Sequence, residues 1–146
     1  MVVGRPGGVL RVDGPAALAA PEVGRVALGN PDSVPAGVYA RQWLERAGTW
    51  RDVAPKVVPA MTVRAALAAA RAGRVDAAIV YATDAATEPS MPVLYLVPAA
   101  DTPPIVYPAA VVRGPNETAA RQFVTYLRSA EAGGVFRTAG FGLAGR

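Results

Sequence analysis

The 146-residue chain contains neither cysteine nor histidine. Their absence excludes disulfides, thiolate and imidazole metal sites, Ser-His triads and Cys-His dyads. Clustered acids are missing too. The 11 acidic residues stand singly, with no DxD or ExxE pair, so neither a metal site nor a paired general acid and base is expected, and no cofactor. Long hydrophobic runs are lacking: the longest, such as Ala65–Ala70, fall far short of the ~20 residues of a membrane span. The opening Met1-Val2-Val3-Gly4-Arg5-Pro6-Gly7-Gly8 has no basic region followed by an apolar one, so it does not read as an export signal. Basic clusters are also absent. The net charge is +4, but the arginines are dispersed (Arg5, Arg11, Arg25, Arg41) and no aromatic stacking motif interleaves them. No nucleic-acid partner is expected from that footprint.

What remains is a chain that is 52% apolar, rich in Ala and Val, and able to bury one ordinary core. Residues 16–20 read as a short helix stopped by Pro21. Residues 25–29 form a strand ended by the turn cluster Asn30-Pro31-Asp32-Ser33. A helix opens at Pro35-Ala36-Gly37 and runs to about Ala47, with apolar Val38, Ala40, Trp43, Leu44 and Ala47 at helical spacing and Gly48 behind it. Residues 50–54 read as a turn and 56–60 as a second strand. Thr62 caps a helix from Val63 to about Ala72. Asp76–Tyr81 is a third strand with Thr83 and Asp84 at its carboxyl end, Val93–Val97 a fourth, and Ile105–Val112 a long apolar strand interrupted by Pro108. Two helices, 117–128 and 131–138, close the chain. Alternation of strands and helices predicts an α/β fold, a mostly parallel sheet flanked by helices.

Ligands of open α/β sheets sit at the carboxyl ends of strands, against helix N-termini. Strand 25–29 leads to a helix near Ala36, strand 56–60 to one near Val63, and strand 76–81 ends in Tyr81. Two helix openings with unpaired N–H groups and a phenol hydroxyl suit an anion without any charged side chain. Each feature also has an ordinary structural reading: proline commonly begins helices, Thr62 can serve as a cap alone, and a tyrosine at a strand end can simply pack.

The same residues carry a family likeness. Gly29-Asn30-Pro31-Asp32-Ser33-Val34-Pro35-Ala36-Gly37-Val38-Tyr39-Ala40 resembles the "G(N/D)PxxVPAGxYA" segment of molybdate-binding proteins of ABC importers. Val63-Arg64-Ala65-Ala66-Leu67 resembles their "VRxAL" helix start, and Ala78-Ile79-Val80-Tyr81-Ala82-Thr83-Asp84-Ala85 their "GIVYxSDA". Pro104-Ile105-Val106-Tyr107-Pro108-Ala109-Ala110-Val111 is similar to their returning "YPAAV" strand and Gly140-Phe141 to their terminal "GF". The matches keep their order from about residue 25 to 141.

The resemblance implies a type II periplasmic-binding-protein fold holding a tetrahedral oxyanion, molybdate or tungstate in preference to the smaller sulfate, between two lobes. Ala36 and Val63 match positions whose backbone N–H groups donate to the anion, and Tyr81 matches a hydroxyl donor. By the same resemblance residues 1–8 are a crossover strand and 9–103 a complete second lobe. Residues 104–146 are then the orphaned returning segment of a first lobe, whose remainder, with two serine-containing loops, is missing. An importer permease is the implied partner. A homodimer formed by segment exchange is the expected answer to the uncovered helix face Ala120, Phe123, Val124 and Leu127. The family implies a periplasmic or extracytoplasmic location, while the missing export signal leaves a cytoplasmic one open. The alternative is the effector-sensing domain of a cytoplasmic regulator on the same fold. An enzyme fits least.

Overall fold

Short runs of apolar and small residues build the strands. The computed structural model describes residues 1–143; Ala144, Gly145 and Arg146, the end of the expected returning segment, lie outside the described residues. The chain divides into two compact units, Met1–Pro103 and Pro104–Arg146.

The first unit holds a five-stranded sheet. Its strands are β1 (Val2–Gly4), β2 (Val26–Gly29), β3 (Val57–Ala60), β4 (Ala77–Ile79) and β5 (Val93–Tyr95), in the order β3-β2-β4-β1-β5. The β2–β3 and β2–β4 pairs are parallel, and β1 is antiparallel to both β4 and β5. Four strands therefore point one way and β1 alone runs back. Its ladder continues past the strand: Met1 N donates to Val80 O at 3.1 Å, and Val80 N to Met1 O at 3.0 Å.

Side chains alternate between the two faces of the sheet. Val2, Val26, Leu28, Ala77 and Ile79 meet Ala40, Trp43 and Leu44 of α1 (Pro35–Arg46) and Val53 of α2 (Trp50–Val53) on one face. Val3, Ala27, Ala78 and Val80 meet Ala66, Leu67 and Ala70 of α3 (Val63–Arg71) and Ala85 of α4 (Ala82–Ala85) on the other. Both faces are covered, which is why β2 and β4 are apolar throughout. Trp43 also stacks on Tyr95 of β5, with ring centroids 6.0 Å apart. The segment Pro15–Ala19 is a 3₁₀ turn whose following carbonyls, Ala19 O and Ala20 O, accept from Lys56 Nζ at 2.7 and 2.6 Å.

One local expectation needs correction. Residues 50–54 are helical rather than a turn, because Asp52 N and Val53 N both donate to Thr49 O; four residues are too few to show a period. Thr83 and Asp84 do follow the carboxyl end of the third predicted strand, where they form part of α4.

The second unit contains α5 (Glu117–Tyr126) and α6 (Ala130–Thr138), the latter capped by Ser129 Oγ, which accepts from Ala132 N at 3.2 Å. The expected strand Ile105–Val112 does not form: none of these residues belongs to a strand. A strand acquires its ladder only from a neighbour, and here Ile105, Val106, Tyr107 and Val112 are exposed instead. The unit's local order comes from aromatic edges, Tyr107 and Phe136 each meeting Phe141 with centroids 5.9 and 6.3 Å apart. Phe123, Tyr126 and Val135 remain exposed.

One contact fixes where α1 begins. A Cβ added to Gly37 would lie 1.8 Å from Gly29 O, and one added to Gly29 would lie 2.6 Å from Val34 Cγ1. Gly37 is therefore what lets the first turn of α1 rest on the end of β2. Gly37→Ala should lower stability by about 1–3 kcal/mol, whereas Gly134→Ala, inside α6 with open space around that position, should raise it by about 0.5–1 kcal/mol. Urea unfolding of both variants checks this; a neutral or stabilising Gly37→Ala would contradict the close approach.

Candidate functional site

The carboxyl ends of β3, β2 and β4 lie side by side, because these strands are neighbours and parallel. Ala36, Val63 and Tyr81 follow those ends, so the topology gathers all three predicted residues along one edge of the sheet, within the first unit. The chain leaves β2 for α1 on one face and leaves β4 for α4 on the other. Neighbouring strands whose connections diverge to opposite faces leave a crevice between them, where α/β sheets place ligands.

Each helix opening is shaped by its own sequence. At α1, Val34 is the cap residue and its side chain offers no acceptor. Val34 O accepts from Gly37 N at 2.8 Å and from Val38 N at 3.0 Å. Pro35 has no N–H, which leaves Ala36 N–H without a hydrogen-bond partner among the described residues. The Ala36 side chain is buried. At α3, Thr62 Oγ1 accepts from Ala65 N at 3.1 Å and Thr62 O from Ala66 N at 3.2 Å. Such a cap contributes about 1 kcal/mol. Val63 N–H and Arg64 N–H are left without partners among the described residues. Val63 is half-buried and the Arg64 side chain exposed.

Tyr81 sits two residues beyond the end of β4 rather than inside the strand. Its backbone is extended (φ −70°, ψ 152°), it caps α4, and its carbonyl accepts from Ala85 N at 3.0 Å. The residue is half-buried.

The carboxylate nearest the α1 opening is paired. Asp32, in the loop after β2, accepts from Arg41 Nη1 at 3.0 Å, and Arg41 Nε reaches Glu45 Oε1 at 2.7 Å. The Arg41 guanidinium also lies 5.5 Å from the ring centre of Trp50. The hydrogen bond to Glu45 and its charge, aided by Asp32, hold the Arg41 pKa above its ordinary value, so this cation persists at any working pH and offsets the one carboxylate of the loop. Among the described residues no group of His, Cys, Asp and Glu could hold a metal ion. The arrangement offers neutral N–H donors, not ligating oxygens, which is chemistry suited to an anion.

Three structural residues escaped the sequence reading. Asn30 organises the loop after β2. At the other end of the sheet Asp76 Oδ2 accepts from Gly24 N at 2.9 Å and Arg25 N at 3.0 Å, joining the amino ends of β2 and β4. Lys56, the single lysine, closes the 3₁₀ turn. Only Asn30 gave a signal, as an Asn before Pro in a turn cluster. A depression of about 320 Å³ also lies at that amino-end side, bordered by Arg5, Arg11, Glu22 and Asp76; it is remote from the helix openings.

Comparison with known proteins shows the family. The family model described as bacterial extracellular solute-binding protein matches residues 1–142. The molybdate-binding protein ModA of Escherichia coli is 37% identical over 118 residues, covering 81% of this chain and 46% of that protein. Among solved structures, the substrate-binding domain assigned to a molybdenum ABC transporter of Clostridium difficile superposes with a TM-score of 0.81 at 27% identity, over 99% of this chain and 62% of that one. The periplasmic molybdate-binding protein of Azotobacter vinelandii gives a TM-score of 0.77 at 22% identity, over 99% and 64%, a likeness of fold. The chain thus spans about half the length of the Escherichia coli relative. These relatives are binding proteins, not enzymes.

Proposed function

The chain belongs to the family of bacterial extracellular solute-binding proteins, and from that membership we propose that its first unit takes a tetrahedral oxyanion of the molybdate and tungstate class at the openings of α1 and α3. The observation that carries this reading is the pair of N–H groups of Ala36 and Val63, unpaired among the described residues, beyond the carboxyl ends of adjacent parallel strands. Fixed neutral donors can hold a dianion because each already carries the partial positive charge of a helix start, worth about 0.3–1 kcal/mol per opening at an exposed site. The Tyr81 hydroxyl is the third donor in this proposal. The Escherichia coli and Azotobacter relatives are described as molybdate-binding proteins, which favours molybdate within the class. The proposed partner is an ABC importer permease, in an extracytoplasmic setting.

Calorimetric titration with molybdate, tungstate and sulfate tests the assignment. Molybdate and tungstate should bind more tightly than sulfate, and Tyr81→Phe should weaken both by about tenfold to a hundredfold, the loss of one hydrogen bond to a charged group. Three equal affinities, or silence toward all three anions, would overturn it.

The apolar side chains of the second unit support a further part of the proposal. Val112 is 80% exposed, Tyr107 65%, Val135 64% and Phe123 59%, apolar side chains whose burial would be favourable. We propose that two copies exchange residues 104–146 and cover these side chains in a homodimer. Light scattering should return twice the chain mass; a uniform monomer at micromolar concentration would contradict the exchange.

A further inference from the structure

The two helix openings belong to different loops, yet one residue touches both. Asn30 immediately follows β2. Its N–H donates to Ala60 O at 2.8 Å, the last residue of β3 and the start of the turn into α3. Its carbonyl accepts from Ser33 N at 3.2 Å and Val34 N at 2.8 Å, which sets the residue that caps α1. Its side-chain Oδ1 accepts from Asp32 N at 2.9 Å. The side-chain bond closes an Asx turn, which holds the local backbone in place of a helical or ladder bond. Pro31 narrows Asn30 further, since a residue before proline is kept extended.

We propose that Asn30 is a positioning residue for the oxyanion site: it locks the opening of α1 to the strand end that leads into α3, and so sets the spacing of the Ala36 and Val63 N–H groups. The inference rests on the oxyanion reading and adds to it the residue that gauges the site. No contact between Asn30 and the anion is required. Its backbone bonds hold the two loops together, and its side chain keeps that backbone in the conformation that makes both bonds. Arg41 acts on the same loop from outside, through Asp32, and stiffens the turn that Asn30 starts.

The test compares Asn30→Gly, which removes the Oδ1 acceptor and frees the backbone, with Asn30→Asp, which keeps an acceptor for the Asp32 N–H. Amide hydrogen exchange is followed at positions 30 and 34, with the core strand amides of Leu28 and Ala78 as the reference for global opening. Molybdate affinity is measured on the same proteins. Asn30→Gly should speed exchange at positions 30 and 34 by about tenfold while Leu28 and Ala78 hold their rates, and should weaken molybdate binding by about tenfold. Asn30→Asp should return the protection at both positions. Unchanged protection at position 30 in the glycine variant would overturn the proposal, as would faster exchange with full molybdate affinity. A wild-type chain that ignores molybdate, with exchange still coupled between positions 30 and 34, would sink the oxyanion reading and leave the lock between the loops standing.

Discussion

The first turn of α1 rests on the carbonyl end of β2 because neither Gly29 nor Gly37 carries a side chain there. A methyl group on Gly37 would fall 1.8 Å from the Gly29 carbonyl oxygen, a distance no packing adjustment of side chains relieves. This seating aims the helix opening along the strand direction, beside the parallel end of β3. The parallel register Gly29↔Ala60 then brings the α3 opening alongside. Two helix starts, each with at least one N–H unpaired among the described residues, are thereby held at one edge of the sheet. In the proposed oxyanion site, backbone geometry takes the role that charged side chains take in many anion sites.

That choice has electrostatic sense. A cationic side chain would bind any anion within reach, whereas fixed N–H groups reward a ligand whose oxygens match their positions. The loop between β2 and α1 carries one carboxylate, Asp32, which would repel a dianion. Arg41 pairs with it and is itself anchored by Glu45 and Trp50. The Arg41 charge thus offsets part of that repulsion, and in the proposed site the helix starts supply the field.

Much of the first unit was legible because its elements are periodic. The stripe Ala40, Trp43 and Leu44 foretold the buried face of α1, Thr62 foretold the capped start of α3, and Gly48 and Gly73 have the positive φ of helix ends. Ala36, Val63 and Tyr81 do follow the carboxyl ends of neighbouring parallel strands, as the rule for strand ends expects. The reversed direction of β1 could not be read from three residues. The second unit shows the other limit: Ile105–Val112 has the composition of a strand, but composition records a preference for burial, and a ladder needs a partner. Asn30 was passed over for a related reason. An asparagine in a turn cluster has many uses, and only the bond from its N–H to Ala60, thirty residues downstream, distinguishes this one.

The most direct measurement is the amide ¹H–¹⁵N spectrum of the intact chain during addition of molybdate. Saturable shifts that are largest at Ala36 and Val63, with smaller ones at their neighbours on α1 and α3, are what this account predicts. Saturable binding whose shifts centre on Arg5 and Arg11, at the far end of the sheet, would contradict it.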